Sequence, residues 1–315
     1  MSDAALAATP ATFLQGRRQR FDEMPVEVID TISDFVNGIE EITDCHGGVS
    51  TSPAAIVYGA DCTAFVKARA VDAGPSLADE HRILTQLAAV PHVPRVLHGE
   101  AIDTEEGEWD LLITSVAPGE PPAHPWNDED LEAVLDALAE MREGLSSVST
   151  EAAQGNQMIG YFSGWKAIAD DRQHPWFQYS KRWHPLERHL RSELSHAHTV
   201  AHGDLRADNI LRDARRVTLV DWAQLAVAPP WIDAALVLAD VVASRGMTHL
   251  PEQVVHPALG GADPEIVAAT IASLGAFMYS RRTRHVPERT PWLRPWQEAM
   301  ADGLTPSIAE GGLHG

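Results

Sequence analysis

The stretch VAHGDLRADNILRD, residues 200–213, sets His202, Asp204, Arg206, Asp208 and Asn209 between two short apolar runs. By residue type alone it serves equally well as a polar turn or as a site. In a turn, the aspartates would bend the chain and Asn209 would cap a backbone group. If TVAH and NILR are short strands, residues 203–208 form the loop between them. Asp204 then opens the loop, Asn209 closes it, and Asp221 of LVDW stands near the end of the next strand. Phosphoryl transfer needs these groups. One carboxylate orients and deprotonates a hydroxyl, while an amide oxygen and a second carboxylate hold magnesium, which prefers hard oxygen ligands.

Working upstream, TAFVKARA alternates so that Phe65, Lys67 and Arg69 share one strand face and Ala64, Val66 and Ala68 the other. A strand lysine is usually an edge charge. The following helix, SLADEHRILTQLAAV, has an apolar stripe of Leu77, Leu84 and Leu87, with Glu80 on that stripe. A carboxylate facing a core needs a partner, because an unpaired buried charge costs several kcal/mol. Lys67 is the nearest upstream candidate.

The rest of the chain sorts into two textures. Val26, Ile29, Ile32 and Val36 form a helical stripe that stops at Gly38, and residues 43–71 read as a small antiparallel sheet. A helix over about 76–90 and two strands before Pro118 complete a β-rich part. Beyond it helices dominate. Asn127 or Asp128 caps one that closes at Gly144, another covers about 232–244, and Asp263-Pro264 start a third. The expected fold is α+β with two lobes: a small antiparallel-sheet lobe over 1–115 and a mainly helical lobe over 116–315. The first twenty residues read as loose, and 155–190 as irregular and aromatic-rich.

Composition narrows the partners. The 45 acidic residues against 24 Lys and Arg give a net charge of −21. Such a surface repels nucleic acids and anionic membranes and favours cationic partners. Cys45 and Cys62 lack metal-type spacing and form no disulfide framework, which suits a reducing compartment. The N-terminal arginines follow the short apolar stretch, the wrong order for a secretory signal. No apolar run reaches the roughly 18–20 residues of a membrane helix. A cytoplasmic protein is expected.

HGDLRADN followed by LVDW resembles the His-Gly-Asp-x4-Asn…Asp pattern of the aminoglycoside phosphotransferase family, a group of small-molecule kinases with a protein-kinase-like fold. The resemblance runs in order through GGVSTSP as phosphate loop, Lys67, Glu80, LLITSVAPGE as hinge, the catalytic loop and Asp221. DWAQLAVAPPWIDAA resembles the family's segment ending in a structural aspartate, here Asp233. It implies an ATP- and magnesium-dependent transfer, with GTP as the alternative donor, onto a hydroxyl of a small, cationic molecule such as an aminoglycoside. Asp204 would be the base, Asn209 and Asp221 the metal ligands, and Lys67, held by Glu80, the grip on the phosphates. The Ser115 carbonyl and Ala117 N–H would read adenine, with Phe65 covering the ring. Gly48, Ser50 and Thr51 would touch phosphate, and Arg206 would meet the γ-phosphate. The resemblance implies a monomer or homodimer.

The departures matter too. Trp222-Ala223 replaces Phe-Gly after Asp221, and no long activation loop precedes Asp233. That favours a small-molecule kinase over a protein kinase. A metabolic kinase acting on an amino alcohol, amino acid or sugar is the alternative within that class. A nucleotide-binding module without transfer is the alternative outside it. His196, His198 and His202 could instead hold zinc, but a metallohydrolase would want a ligand soon after the His-x-His pair, and Thr199, Val200 and Ala201 follow it. Asp128, Asp130, Asp170, Asp171 and Glu288 are candidate acids for a cationic acceptor, and the aromatic stretch 160–185 a wall for a bulky one.

Overall fold

The computed structural model describes residues 18–46, 50–71, 76–214, 216–286 and 290–310. Helix α1 (Val26–Val36) ends where Asn37 turns left-handed at φ 59°, followed by Gly38. It buries Val28, Ile32 and Val36, while Val26 is exposed. The buried face is thus turned from the expected stripe, because the sheet it packs on selects which apolar residues point inward. Strands β1 (Ile39–Asp44), β2 (Ala54–Gly59) and β3 (Thr63–Ala70) follow. After helix α2 (Leu77–Gln86) come β4 (Val96–Thr104) and β5 (Gly107–Thr114). They form one antiparallel sheet in the order β1-β2-β3-β5-β4. Ala64, Val66 and Ala68 of β3 join α1 in a core beneath the sheet. This is the alternation expected.

Helix α2 begins at Ser76, whose hydroxyl accepts the Ala78 N–H. It belongs by packing to the larger core: Leu77, Ile83, Leu84 and Leu87 join the helical part of the molecule. Helix α2 also lies against β3, β4 and β5, so a residue on it is held between the sheet and the helical part.

The helical part contains α3 (Asp128–Ser147), α4 (Gly164–Asp170) and α5 (Ser180–Ser195). Asn127 caps α3 by accepting the Asp130 N–H. The helix runs through Gly144, the expected stop, because Val90 packs on that residue and its φ is ordinary. Two short antiparallel strand pairs carry the opening stretch. Strand β6 (Thr199–Ala201) pairs with β9 (Ala226–Ala228), and β7 (Ile210–Arg212) with β8 (Val217–Leu219). The chain closes with α6 (Ile232–Arg245), α7 (Pro264–Arg281) and α8 (Leu293–Glu310), and Asp263 caps α7 as expected. The architecture is α+β, a five-stranded antiparallel sheet followed by a mainly helical part. Among the described residues no helix is long and apolar enough to cross a membrane.

Candidate functional site

Because β3 turns its alanines and Val66 inward, Phe65 and Lys67 line a cleft on the other face, of about 590 Å3. That lies in the range of ligand pockets, roughly 300–1,000 Å3. Lys67 Nζ donates to Glu80 Oε1 at 2.8 Å and Oε2 at 3.1 Å, and to Asp221 Oδ1 at 3.1 Å. Burial works against the ammonium, but Asp221 and Glu80 outweigh it and raise the Lys67 pKa. In return the Lys67 charge, against the cost of burial, holds Asp221 well below the usual carboxylate range. Asp221 itself is left-handed, at φ 64°, a conformation aspartate tolerates better than most residues. One ammonium thus ties the sheet, α2 and the end of β8 together.

The loop after β6 is pinned from α6. Asp233 accepts the N–H groups of His202 at 2.7 Å and Gly203 at 3.1 Å. Asp240 accepts from the Ala207 N–H at 2.9 Å and from Trp126 Nε1 at 3.1 Å. Gly203 sits at φ 81°, with the Gln224 carbonyl oxygen 2.5 Å from where a Cβ would stand. His202 is buried against Trp222 and bonds the Val220 carbonyl, so it shapes the loop. His196 instead bonds the Ser192 carbonyl. Among the described residues no group of three His, Cys, Asp or Glu is placed to hold a metal.

Within the loop, Arg206 Nη1 donates to both oxygens of Asp204 at 2.8 Å, and Nε donates to Asp208 at 2.5 Å. Burial raises the Asp204 carboxyl; Arg206 opposes the rise, and Asp208 and Asp221 add to it. Asn209 Nδ2 donates to the Asp204 carbonyl at 2.7 Å, which leaves its Oδ1 as the acceptor end. Asn209 and Asp221 both line the cleft with Lys67. An amide oxygen and a carboxylate are a small donor set, and they fit an ion that takes its remaining ligands from phosphate and water.

The hinge candidates Ser115 and Ala117 also line this cleft. So does Gly119, held at φ 101° with the Arg212 backbone 2.2 Å from a Cβ position. Ser50 and Thr51 do not line it. Ser50 Oγ accepts the Ser52 N–H and an Arg69 N–H, and the Thr51 carbonyl accepts the Gln19 N–H. Gly48 lies outside the described residues. The acids considered for a cationic acceptor are engaged elsewhere: Asp170 with Lys166, Asp171 with the Gln173 N–H, Asp128 with Arg245 and Asp130 with Arg212. Glu288 lies outside the described residues.

Sequence reasoning missed Arg18, Asp208 and Asp240. Arg18 and Asp208 line the cleft, and Arg18 feels the charge of Asp221. Its place follows from a tertiary crossing in which Gln19 bonds Thr51, so no local pattern announces it. For Asp240 a signal existed: an aspartate in the apolar run of α6 needs a buried partner.

Residues 42–269, well over half of the chain, match the model of the phosphotransferase enzyme family, APH. Among solved structures the chain is similar to a spectinomycin phosphotransferase, APH(9)-Ia, in complex with ADP and spectinomycin. The identity is 12%, with 91% of this chain and 98% of that one covered and a TM-score of 0.56. It is similar at 12% identity to a microcompartment-associated aminopropanol kinase, over 91% and 98% of the chains, with a TM-score of 0.54. It is similar at 14% identity to the choline kinase LicA from Streptococcus pneumoniae, over 88% and 97%, with a TM-score of 0.52. These are likenesses of fold. No match is found among curated protein sequences.

Proposed function

The chain belongs to the phosphotransferase enzyme family, and on that premise we propose that it moves the γ-phosphoryl group of ATP onto a hydroxyl of a small molecule. The observation that carries this reading is the junction of Lys67 with Glu80 and Asp221 on one cleft, with Asn209 on the same wall and Asp204 in the same loop. Lys67, steadied by Glu80, would grip the phosphates, while Ser115 and Ala117 would meet the adenine edge and Phe65 its face. Asn209 and Asp221 would hold magnesium, which supplies charge neutralisation on the phosphates. Asp204 would take the hydroxyl proton as the new P–O bond forms and the bond to the leaving ADP breaks. Its raised pKa makes it a better proton acceptor than an exposed aspartate. We place the reaction in the cytoplasm, in keeping with the free thiols of Cys45 and Cys62.

The acceptor is a small hydroxyl compound. The similar proteins are named for spectinomycin, aminopropanol and choline. An ATP-consumption screen over antibiotics, amino alcohols, sugars and amino acids, with mass detection of the added phosphate, identifies it. A positioned base contributes about 10²–10⁴ in rate. Asp204→Asn should lose that factor in kcat while magnesium and ATP together still raise the melting temperature. Near-normal turnover would remove Asp204 from the reaction.

A further inference from the structure

A second cleft opens at Asp204, with about 40 Å3 of free space. Its walls include Tyr161, Phe162, Leu274, Met278, Trp296 and Met300. The charged side chains that reach it are Asp204, Arg206 and Asp240, and all three are engaged. Arg206 holds both oxygens of Asp204, and Asp240 serves the Ala207 and Trp126 N–H groups. A polyamine entering here would have to compete with Arg206 for Asp204. The slot suits a methylene chain or the edge of a ring.

Helix α7 leads out of this cleft. Leu274 and Met278 line it, and Phe277 packs edge-on against Tyr161 with ring centroids 5.1 Å apart. One turn further on, the Arg281 guanidinium lies 4.8 Å over the Phe277 ring. Helical spacing puts 274, 278 and 281 on one side of α7. Arg281 Nε is buried with no hydrogen-bond partner among the described residues. Burial lowers its pKa, Arg284 and Arg294 add to that, and the Tyr161 phenol opposes it. No described carboxylate pairs with Arg281. On a chain of net charge −21, three arginines, Arg281, Arg284 and Arg294, stand together on this side of the molecule.

We propose that the acceptor is a hydroxyl compound with an apolar body and a carboxylate, seated with its hydroxyl at Asp204 and its carboxylate at Arg281. The inference rests on the phosphotransferase reading above. It narrows that reading to acceptors of the opposite charge to aminoglycosides and choline. Seven residues separate Leu274 from Arg281, about 10 Å of helix. Tyr161, a wall of the cleft, lies within charge reach of both Asp204 and Arg281, and a ten-carbon chain spans the stretch of α7 from Leu274 to Arg281.

The test compares ω-hydroxydecanoate, decanol and ω-aminodecanol, which share a skeleton and differ in the charge at the far end, with kanamycin as the hydrophilic polycation. Binding to the ADP-loaded enzyme is read by calorimetry, and phosphate transfer from ATP by mass spectrometry. The expected result is ω-hydroxydecanoate binding about tenfold tighter than ω-aminodecanol, a difference of about 1.4 kcal/mol. Arg281→Ala should erase that preference, and Arg281→Lys should keep it. No binding of ω-hydroxydecanoate, equal or tighter binding of ω-aminodecanol or kanamycin, or an unchanged preference in Arg281→Ala overturns the proposal. Transfer to kanamycin with no binding of the hydroxy acid leaves a kinase and removes this inference. Binding of the hydroxy acid with no nucleotide binding and no transfer to any compound removes the kinase reading instead.

Discussion

Glu80→Gln probes the junction on which the nucleotide cleft is built. The Glu80 side chain is 4% exposed and that of Lys67 17%, so their two hydrogen bonds, at 2.8 and 3.1 Å, are poorly screened by water. Breaking a buried pair outright costs about 3–5 kcal/mol, and a hydrogen bond to a charged group contributes about 1.5–3 kcal/mol. Glutamine keeps one acceptor, and Lys67 keeps Asp221 at 3.1 Å. The expected loss therefore falls below the full range, at about 2 kcal/mol by the same bookkeeping. The urea transition, followed by fluorescence of the buried Trp165 and Trp222, measures it. Freed from Glu80, the ammonium is drawn onto Asp221, so the KM for ATP should rise about tenfold, equivalent to 1.4 kcal/mol. A double variant, Lys67→Met with Glu80→Leu, should recover most of the stability while losing nucleotide binding, because apolar replacement of a buried ion pair is close to neutral. Unchanged stability and unchanged KM in Glu80→Gln would refute the reasoning.

Other consequences concern pH and the backbone. Asp221 is held below its ordinary pKa by Lys67, so the stability it lends is present above the usual carboxylate range and is lost as pH falls through and below it. Acid titration of the wild type should therefore show a steeper loss than Lys67→Met, compared by urea midpoints. Asp204 is raised, so kcat/KM should climb with pH through a value above the ordinary 3.8 and then level off. Asp233→Asn keeps the shape but removes the charge that accepts two backbone N–H groups. It should cost about 2–3 kcal/mol and lower kcat by loosening the loop, read by denaturation and single-turnover rates. Gly119→Ala would place a methyl against the Arg212 backbone at a positive φ. It should lose about 1–3 kcal/mol and weaken ATP binding.

Local chemistry made much of this protein legible. The alternation of TAFVKARA set which face of β3 carries Lys67, and Glu80 on an apolar stripe called for a cation. The spacing of Asp204, Asn209 and Asp221 put a carboxylate and an amide at the two ends of one loop. Asn127 and Asp263 announced their helices because capping is a contact within a few residues. Other features required the tertiary structure. The sheet chose Val28 over Val26 for burial, and Arg69 drew Ser50 and Ser52 to itself. Arg18 entered the cleft through a chain crossing. The charge around the cleft at Asp204 follows the same division. Net charge is a sum over the whole surface, and it was set by composition alone. The field at a cleft is set by groups within about a Debye length, roughly 8–10 Å. Only the packing of α7 against the aromatic segment placed Arg281 beside Phe277 and Tyr161, on a chain whose net charge is −21.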